Sequence, residues 1–133
     1  MLLPRFPSSY LPSSWRGKMK ALELILRFLN IERAQVEGDS MMPSLRHGEI
    51  IWVKMVEVPP SNLEKMLGRV VVVEREEMPG ILLIKRLQKV HGELMWIEGD
   101  NHENGNIELQ HDSRKFGWLP ASAIKGFSLK KSR

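Results

Sequence analysis

Between residues 20 and 31 the polar side chains recur at Lys20, Glu23, Arg27 and Asn30, at spacings of 3, 4 and 3. Leu22, Leu24, Ile25, Leu26, Phe28 and Leu29 fill the remaining arc. That period is helical, so residues 20–31 are predicted to form one short amphipathic helix with a Glu23–Arg27 pair one turn apart. Its wide apolar arc is expected to dock on the protein's own core; a membrane surface or a partner is the alternative use of the same pattern. Past Gly38 the period changes to two. The runs "EIIWVKM" (49–55), "RVVVVER" (69–75), "GILLIKRLQKV" (80–90) and "ELMWIEG" (93–99) are rich in β-branched and aromatic residues and are separated by "PPSN", "EMPG" and "HG" turns, so each reads as a strand. A polar loop, "DNHENGNIELQHDSR", and a last short strand near "GWLP" follow. The expected fold is mainly β, a compact domain over 36–127 preceded by the helix. Residues 1–19 read as a flexible basic extension and 128–133 as a basic tail.

Alternation inside the third run places one charged residue where aliphatics are expected. Ile81, Leu83, Lys85 and Leu87 fall on one face, and Leu82, Ile84 and Arg86 on the other. Either Lys85 lies on an edge and reaches for solvent along its stem, or it is buried. Burial disfavours the ammonium form and lowers the pKa from about 10.4, which is the condition for a lysine to act as a base.

The stretch "GDSMMPSLRHGEIIWV" (38–53) holds a serine on a glycine-flanked turn ahead of a strand. Ser40 is either a capping residue or a nucleophile. With no cysteine in the chain, a nucleophile must be Ser, Thr or Lys, and no disulfide or thiolate site is available. His47, His91, His102 and His111 all lie in predicted turns or the polar loop, where a solvated ring is the ordinary state. A Ser-His-Asp triad through His111 or His102 remains an alternative. A metal site from His102, Glu103, His111 and Asp112 lacks any short ligand pair at helical or finger spacing, so no metal or other cofactor is expected.

Charge changes the picture only when it is located. The net charge of +4 divides into basic ends and an acidic middle: residues 1–20 carry four basic residues and no acid, the chain after Asp112 carries six and no acid, and 21–112 carries ten basic against sixteen acidic. Such ends suit contact with an anionic surface rather than a nucleic-acid-reading face, which needs clustered phosphate contacts. No stretch approaches the roughly 18–20 apolar residues that span a bilayer, and residues 1–18 lack the apolar region of a secretory signal. The expectation is a cytoplasmic protein, peripheral to a membrane at most.

Taken in order, these pieces resemble a known family. "GDSMMPSLRHGEIIWV" is similar to the nucleophile box of the type I signal peptidases, "GRVVVVE" to the next strand box, "LIKRL" to the lysine box, "GDN…DSRKFG" to the closing box and "GWLPASAIKG" to the last strand. The resemblance implies a signal-peptidase-like β-fold and a serine endopeptidase in which Ser40 attacks the scissile carbonyl and Lys85 takes its proton. It further implies an oxyanion pocket from backbone N–H groups around Gly38, Asp39 and Ser40, with Met41, Met42 and Pro43 lining and shaping the neighbouring pocket. Asp100, Asn101, Asp112, Ser113 and Arg114 would support the site, Asp112 and Arg114 as an ion pair. The substrate would be a precursor protein or peptide bound as an extended strand.

Three positions depart from the family's pattern. Gly38 stands where a serine often assists the oxyanion, Gln110 stands two before Asp112 where a serine often holds the lysine, and only the thirteen residues 86–98 separate Lys85 from Gly99, too few for the large inserted domain of many signal peptidases. Within the family the length, "EGDSMMPSL" and "GDN…DSRKFGWLP" resemble the small soluble maturation proteases of nickel-type superoxide dismutase, which remove an N-terminal propeptide. A membrane-associated leader peptidase is the alternative substrate reading, and a non-catalytic peptide-binding β module the alternative of another class. The SOS-repressor autoproteases share "GDSM", but 37 residues with one helix are too few for their helix-turn-helix domain.

Overall fold

Four consecutive valines at 70–73 are all buried. Successive strand residues face opposite sides, so the strand they form must be covered on both. In the computed structural model, which describes residues 2–3, 21–22, 24–102 and 111–129, that strand is central. The strands are β1 (Leu2–Leu3), β2 (Ile31–Val36), β3 (Ile50–Met55), β4 (Val70–Glu74), β5 (Leu82–His91), β6 (Leu94–Glu98), β7 (Leu119–Pro120) and β8 (Ile124–Ser128). They form one antiparallel sheet in the order β1-β2-β3-β8-β4-β5-β6-β7. The protein is mainly β. Among the described residues the helical elements are a helix α1 at 21–22 and 24–28, a single turn α2 (Ser113–Phe116), and 3-10 turns at Leu63–Met66 and Ala121–Ala123.

Two apolar clusters cover the sheet. Val71, Val73, Leu87, Met95, Ile97 and Ile124 belong to one, joined by the partly buried Leu83. Val36, Met41, Leu45, Val53, Val70, Val72 and Ile84 belong to the other. The valines of β4 divide between them by parity, and so do Leu83 and Ile84 of β5.

The predicted strands at 49–55, 69–75, 80–90 and 93–99 coincide with β3, β4, β5 and β6. Elsewhere the structure differs in instructive ways. The strand after the helix starts at Ile31 rather than at 36, because the helix stops early. Asn30 takes a left-handed backbone (φ 61), its N–H donates to the Arg27 carbonyl at 3.0 Å, and β2 begins at the next residue. Within the expected extension, Leu2 and Leu3 pair with Val36 and Gln35 along the outer edge of β2. The rest of the 1–19 extension, Glu23 and its pair with Arg27, most of the tail, and Glu103 and Gln110 lie outside the described residues.

Helix α1 does not dock on the core as expected. Phe28 is 90% exposed and Leu24 and Ile25 are more than half exposed. Its described polar contacts are at its C-terminal end, where Lys54 Nζ donates to the Leu29 carbonyl and the Met55 N–H donates to the Asn30 carbonyl at 2.8 Å. The short link between helix and β2 leaves it no reach over a sheet face that other elements already cover. Among the described residues no helix is long and apolar enough to cross a membrane.

Candidate active site

The turn that presents Ser40 is built by local geometry and held by a distant segment. Gly38 sits at φ +88, a backbone region that side chains other than glycine enter at a cost. Beyond it the chain coils, with the Met42 N–H donating to the Asp39 carbonyl at 3.1 Å and the Leu45 N–H to the Met41 carbonyl at 2.9 Å. Met41 and Leu45 are buried in the second cluster and anchor the turn from below. Met42 is half-buried and Pro43, which follows a cis peptide bond, is exposed. Of the two methionines, only Met42 therefore reaches the surface.

The segment just after β6 passes directly over this turn. A Cβ placed on Gly99 would lie 2.5 Å from the Ser40 carbonyl oxygen and 3.4 Å from the Ser40 Cβ, so the approach needs a glycine. The Asn101 N–H donates to the Ser40 carbonyl at 2.9 Å, and Asn101 Nδ2 donates to the Asp39 carbonyl at 3.0 Å. Two consecutive carbonyls of the Ser40 turn are thus held by one asparagine sixty residues away in the chain.

Two ion pairs hold Gly99, Asp100 and Asn101 in turn. Arg86 donates to Asp100 through Nε at 2.8 Å and Nη2 at 2.7 Å, a fork that fixes orientation as well as distance. Burial alone would raise the Asp100 carboxyl, but hydrogen bonds from Arg86 and Ser44 outweigh it and hold it below the usual carboxylate range. On the other side Asp112 is fully buried. Its Oδ2 accepts the Gly99 N–H at 2.9 Å and pairs with Arg114 Nη2 at 2.6 Å, while Oδ1 accepts the Arg114 N–H at 3.0 Å as the cap of α2. Ser113, 1% exposed, accepts the Ile97 N–H on its Oγ at 2.9 Å. The Asp112–Arg114 pair expected from the sequence is present, and it ties α2 to β6 through the Gly99 amide.

Burial would push the Asp112 carboxyl up, but the Arg114 side chain and the two backbone donors outweigh it and hold it low. A group lowered in this way contributes stability above its unfolded pKa of about 3.9, and that stability is lost as the pH falls through the folded value. Asp112→Asn keeps the volume and removes the charge. We expect a loss of about 1.5–3 kcal/mol at pH 7, the range for hydrogen bonds to charged groups, read from denaturant midpoints. The gap to wild type should close in acid; a constant gap down to low pH would contradict the assignment.

Lys85 is 2% exposed and shares its face with Leu83 and Leu87. Burial among these aliphatics lowers its pKa; the nearby Asp112 charge acts to raise it and Arg114 to lower it further. Asp112 spends its oxygens on Arg114 and the amides, so it does not make a contact ion pair with the lysine. Arg86 pairs with Glu98 in register, so Lys85 and Gly99 are the next positions along the two chains, and the Ser40 backbone lies against Gly99.

The histidines are placed differently from one another. His102 Nδ1 lies 3.4 Å from Arg114 Nη1, and His91 stacks at an angle near Trp118 with ring centroids 6.4 Å apart. His47 accepts the Gly38 N–H on Nδ1 at 2.9 Å, a contact that composition and spacing do not reveal. Gly99 enters the sequence reading as the first residue of the "GDN" closing box, but its packing against the Ser40 backbone is not visible there.

No curated protein matches the chain. The profile of the family described as signal peptidase, peptidase S26, matches residues 18–103, which spans the Ser40 turn, Lys85 and the Gly99–Asn101 clamp. With well over half of its length in that match, the chain belongs to the peptidase S26 family and is a signal-peptidase-like serine peptidase.

Proposed function

We propose that Ser40 is the nucleophile and Lys85 its general base, and that the enzyme removes an N-terminal propeptide from a precursor protein, with nickel-type superoxide dismutase as the substrate. The observation that carries the dyad is the burial of Lys85 across from Gly99, the residue on which the Ser40 backbone rests. A buried amine with a lowered pKa is neutral over more of the pH range, and a neutral amine can accept the hydroxyl proton as Oγ bonds to the scissile carbonyl carbon. The oxyanion of the tetrahedral intermediate needs N–H donors. The turn's own backbone bonds use the Met42 and Leu45 amides and the Gly38 amide goes to His47, so the candidates for that task are the Asp39, Ser40 and Met41 amides. Collapse expels the new amine, which takes the proton from Lys85, and leaves the acyl group esterified to Ser40 Oγ. Water then attacks that ester as Lys85 takes its proton, and the acid is released as Lys85 returns the proton to Ser40 Oγ. No step requires a metal or a histidine base.

The propeptide substrate rests on the resemblance to the small maturation proteases and on the minimal core between β5 and β6. The exposed apolar arc of α1 favours a second reading, a peptidase working at a membrane, because Phe28, Leu24 and Ile25 are free to enter a lipid interface. One assay separates them. Purified protein is incubated with a nickel superoxide dismutase precursor and, separately, with a membrane-inserted preprotein, with Ser40→Ala as the control in both. Trimming of the first to a single new N-terminus, sparing of the second, and inactivity of Ser40→Ala are the expected results. Cleavage of the preprotein alone would establish the membrane reading. Cleavage by Ser40→Ala would remove Ser40 from the mechanism.

A further inference from the structure

His47 lies outside the ion-pair framework, yet its ring reaches back to the residue two before Ser40. The Gly38 N–H donates to His47 Nδ1 at 2.9 Å, so that nitrogen must carry its lone pair and the ring proton must sit on Nε2. The ring is delivered by a hairpin of fixed register: the Gly48 N–H donates to the Val36 carbonyl at 2.7 Å and the Val36 N–H to the Glu49 carbonyl at 2.8 Å. The loop that carries it is closed by the Arg46 N–H on Glu49 Oε2 at 3.0 Å and by the Glu49 N–H on the Arg46 carbonyl at 3.0 Å. Gly38 itself has the left-handed backbone that starts the Ser40 turn. The contact therefore fixes the peptide plane at the point where the chain must bend, and Asn101 fixes the next two carbonyls. The Ser40 turn is held at its entry by His47 and at its crest by Asn101.

We propose that neutral His47 is a positioning residue for the Ser40 turn, and that protonation of its ring releases the Gly38 amide and sets an acid-side limit on cleavage separate from the base. An imidazolium carries N–H at both nitrogens and has no lone pair to offer, so two donors would face each other across the contact. The charged residues next to the contact along the chain are Glu37 and Asp39, which flank Gly38, and Arg46 and Glu49, which bracket His47 and Gly48 and are joined by the Arg46 N–H on Glu49 Oε2. The proposal rests on the reading of Ser40 as nucleophile, so its test includes a measurement that needs no catalysis.

That measurement is made on the full chain carrying Ser40→Ala. The Gly38 amide proton and nitrogen shifts should follow the His47 ring titration, and in His47→Asn, whose Oδ1 stands where Nδ1 did, they should become independent of pH while staying hydrogen-bonded. A Gly38 amide indifferent to the ring's protonation overturns the cap whatever Ser40 does. In the active enzyme, log kcat/KM should fall toward acid with a slope of one from the base, and protonation of His47 should add a further drop of roughly 3- to 10-fold. His47→Asn should remove that further drop. His47→Leu, which removes the acceptor, should lower kcat roughly 3- to 10-fold, the effect of one hydrogen bond, with KM little changed. An unaltered acid limb in His47→Asn together with wild-type kcat in His47→Leu would refute the positioning role. If the only acid-side loss is a roughly 3- to 10-fold step that His47→Asn removes, the cap stands and Lys85 as base fails.

Discussion

Lys85→Met is expected to abolish cleavage and, at the same time, to make the protein harder to unfold. Methionine keeps a linear stem of similar length among Leu83, Leu87 and Val71 and deletes only the amine. Without the base, cleavage should fall by at least about 10²–10⁴-fold, the usual contribution of a positioned proton acceptor. Stability should move the other way because a buried lysine costs the fold about 1.4 kcal/mol for each unit by which its pKa is depressed. The sign of the pH dependence follows from the lowered pKa. Below the folded pKa the ammonium is charged in both states and the cost is at its maximum. It shrinks as the pH rises toward the unfolded value of about 10.4, and above that it vanishes. The stability gain of Lys85→Met over wild type should therefore be largest at neutral and acid pH and disappear in strong alkali. Wild-type activity should rise with pH through the same lowered pKa, whereas a histidine base would place the rise near 6–7. Thermal melts and rates across pH check both halves. Retained cleavage in Lys85→Met would rule out the dyad, and an unchanged or lowered melting temperature would mean that burial does not lower the amine's pKa.

Gly99→Ala is expected to cost both stability and activity through a single methyl group. The added Cβ would fall 2.5 Å from the Ser40 carbonyl oxygen and 3.3 Å from its carbon, and a backbone atom cannot rotate away as a side chain can. Either β6 or the Ser40 turn must move. Movement of β6 would pull the Gly99 amide from Asp112, and movement of the turn would break the Asn101 contacts. The loss should lie near the upper end of the roughly 1–3 kcal/mol typical of overpacking. A displacement near 1 Å at the reacting group is enough to lower the rate about 10²-fold. Denaturant midpoints and single-turnover cleavage would show it. Wild-type behaviour in both would mean that the Ser40 turn does not rest on Gly99 in solution. Stability loss with an unchanged rate would separate the contact from the chemistry.

Both predictions depend on how a local signal was converted into a site. Strand identity was legible along the chain: β3, β4, β5 and β6 are each written as apolar or alternating runs between turn residues, because the pleat imposes a period of two wherever one face is buried. Lys85 among aliphatics was legible for the same reason. The nucleophile candidate was legible because Gly38, Ser40 and Pro43 lie within six residues of one another. β2 was not, since "IERAQV" buries only Ala34 and Val36 and shows too weak an alternation to register. Helix α1 was legible as a helix but not in its placement, because an apolar arc states that a partner is needed and not which one.

The sequence by itself determined most of the strands, the parity that sets Lys85 among aliphatics and the local bend at Ser40, all of which follow from φ/ψ preferences and side-chain alternation over a few residues; the burial of Lys85 was left to the fold. Only the tertiary structure decided what meets what. β8 leaves the end of the chain to insert between β3 and β4, Gly99 and Asn101 cross the Ser40 turn, Asp112 takes the Gly99 amide, and His47 takes the Gly38 amide. Those contacts join residues from nine to more than sixty positions apart. Many closures of similar entropic cost compete at such separations, so the choice among them falls to shape, burial and the pairing of polar groups once the sheet has formed.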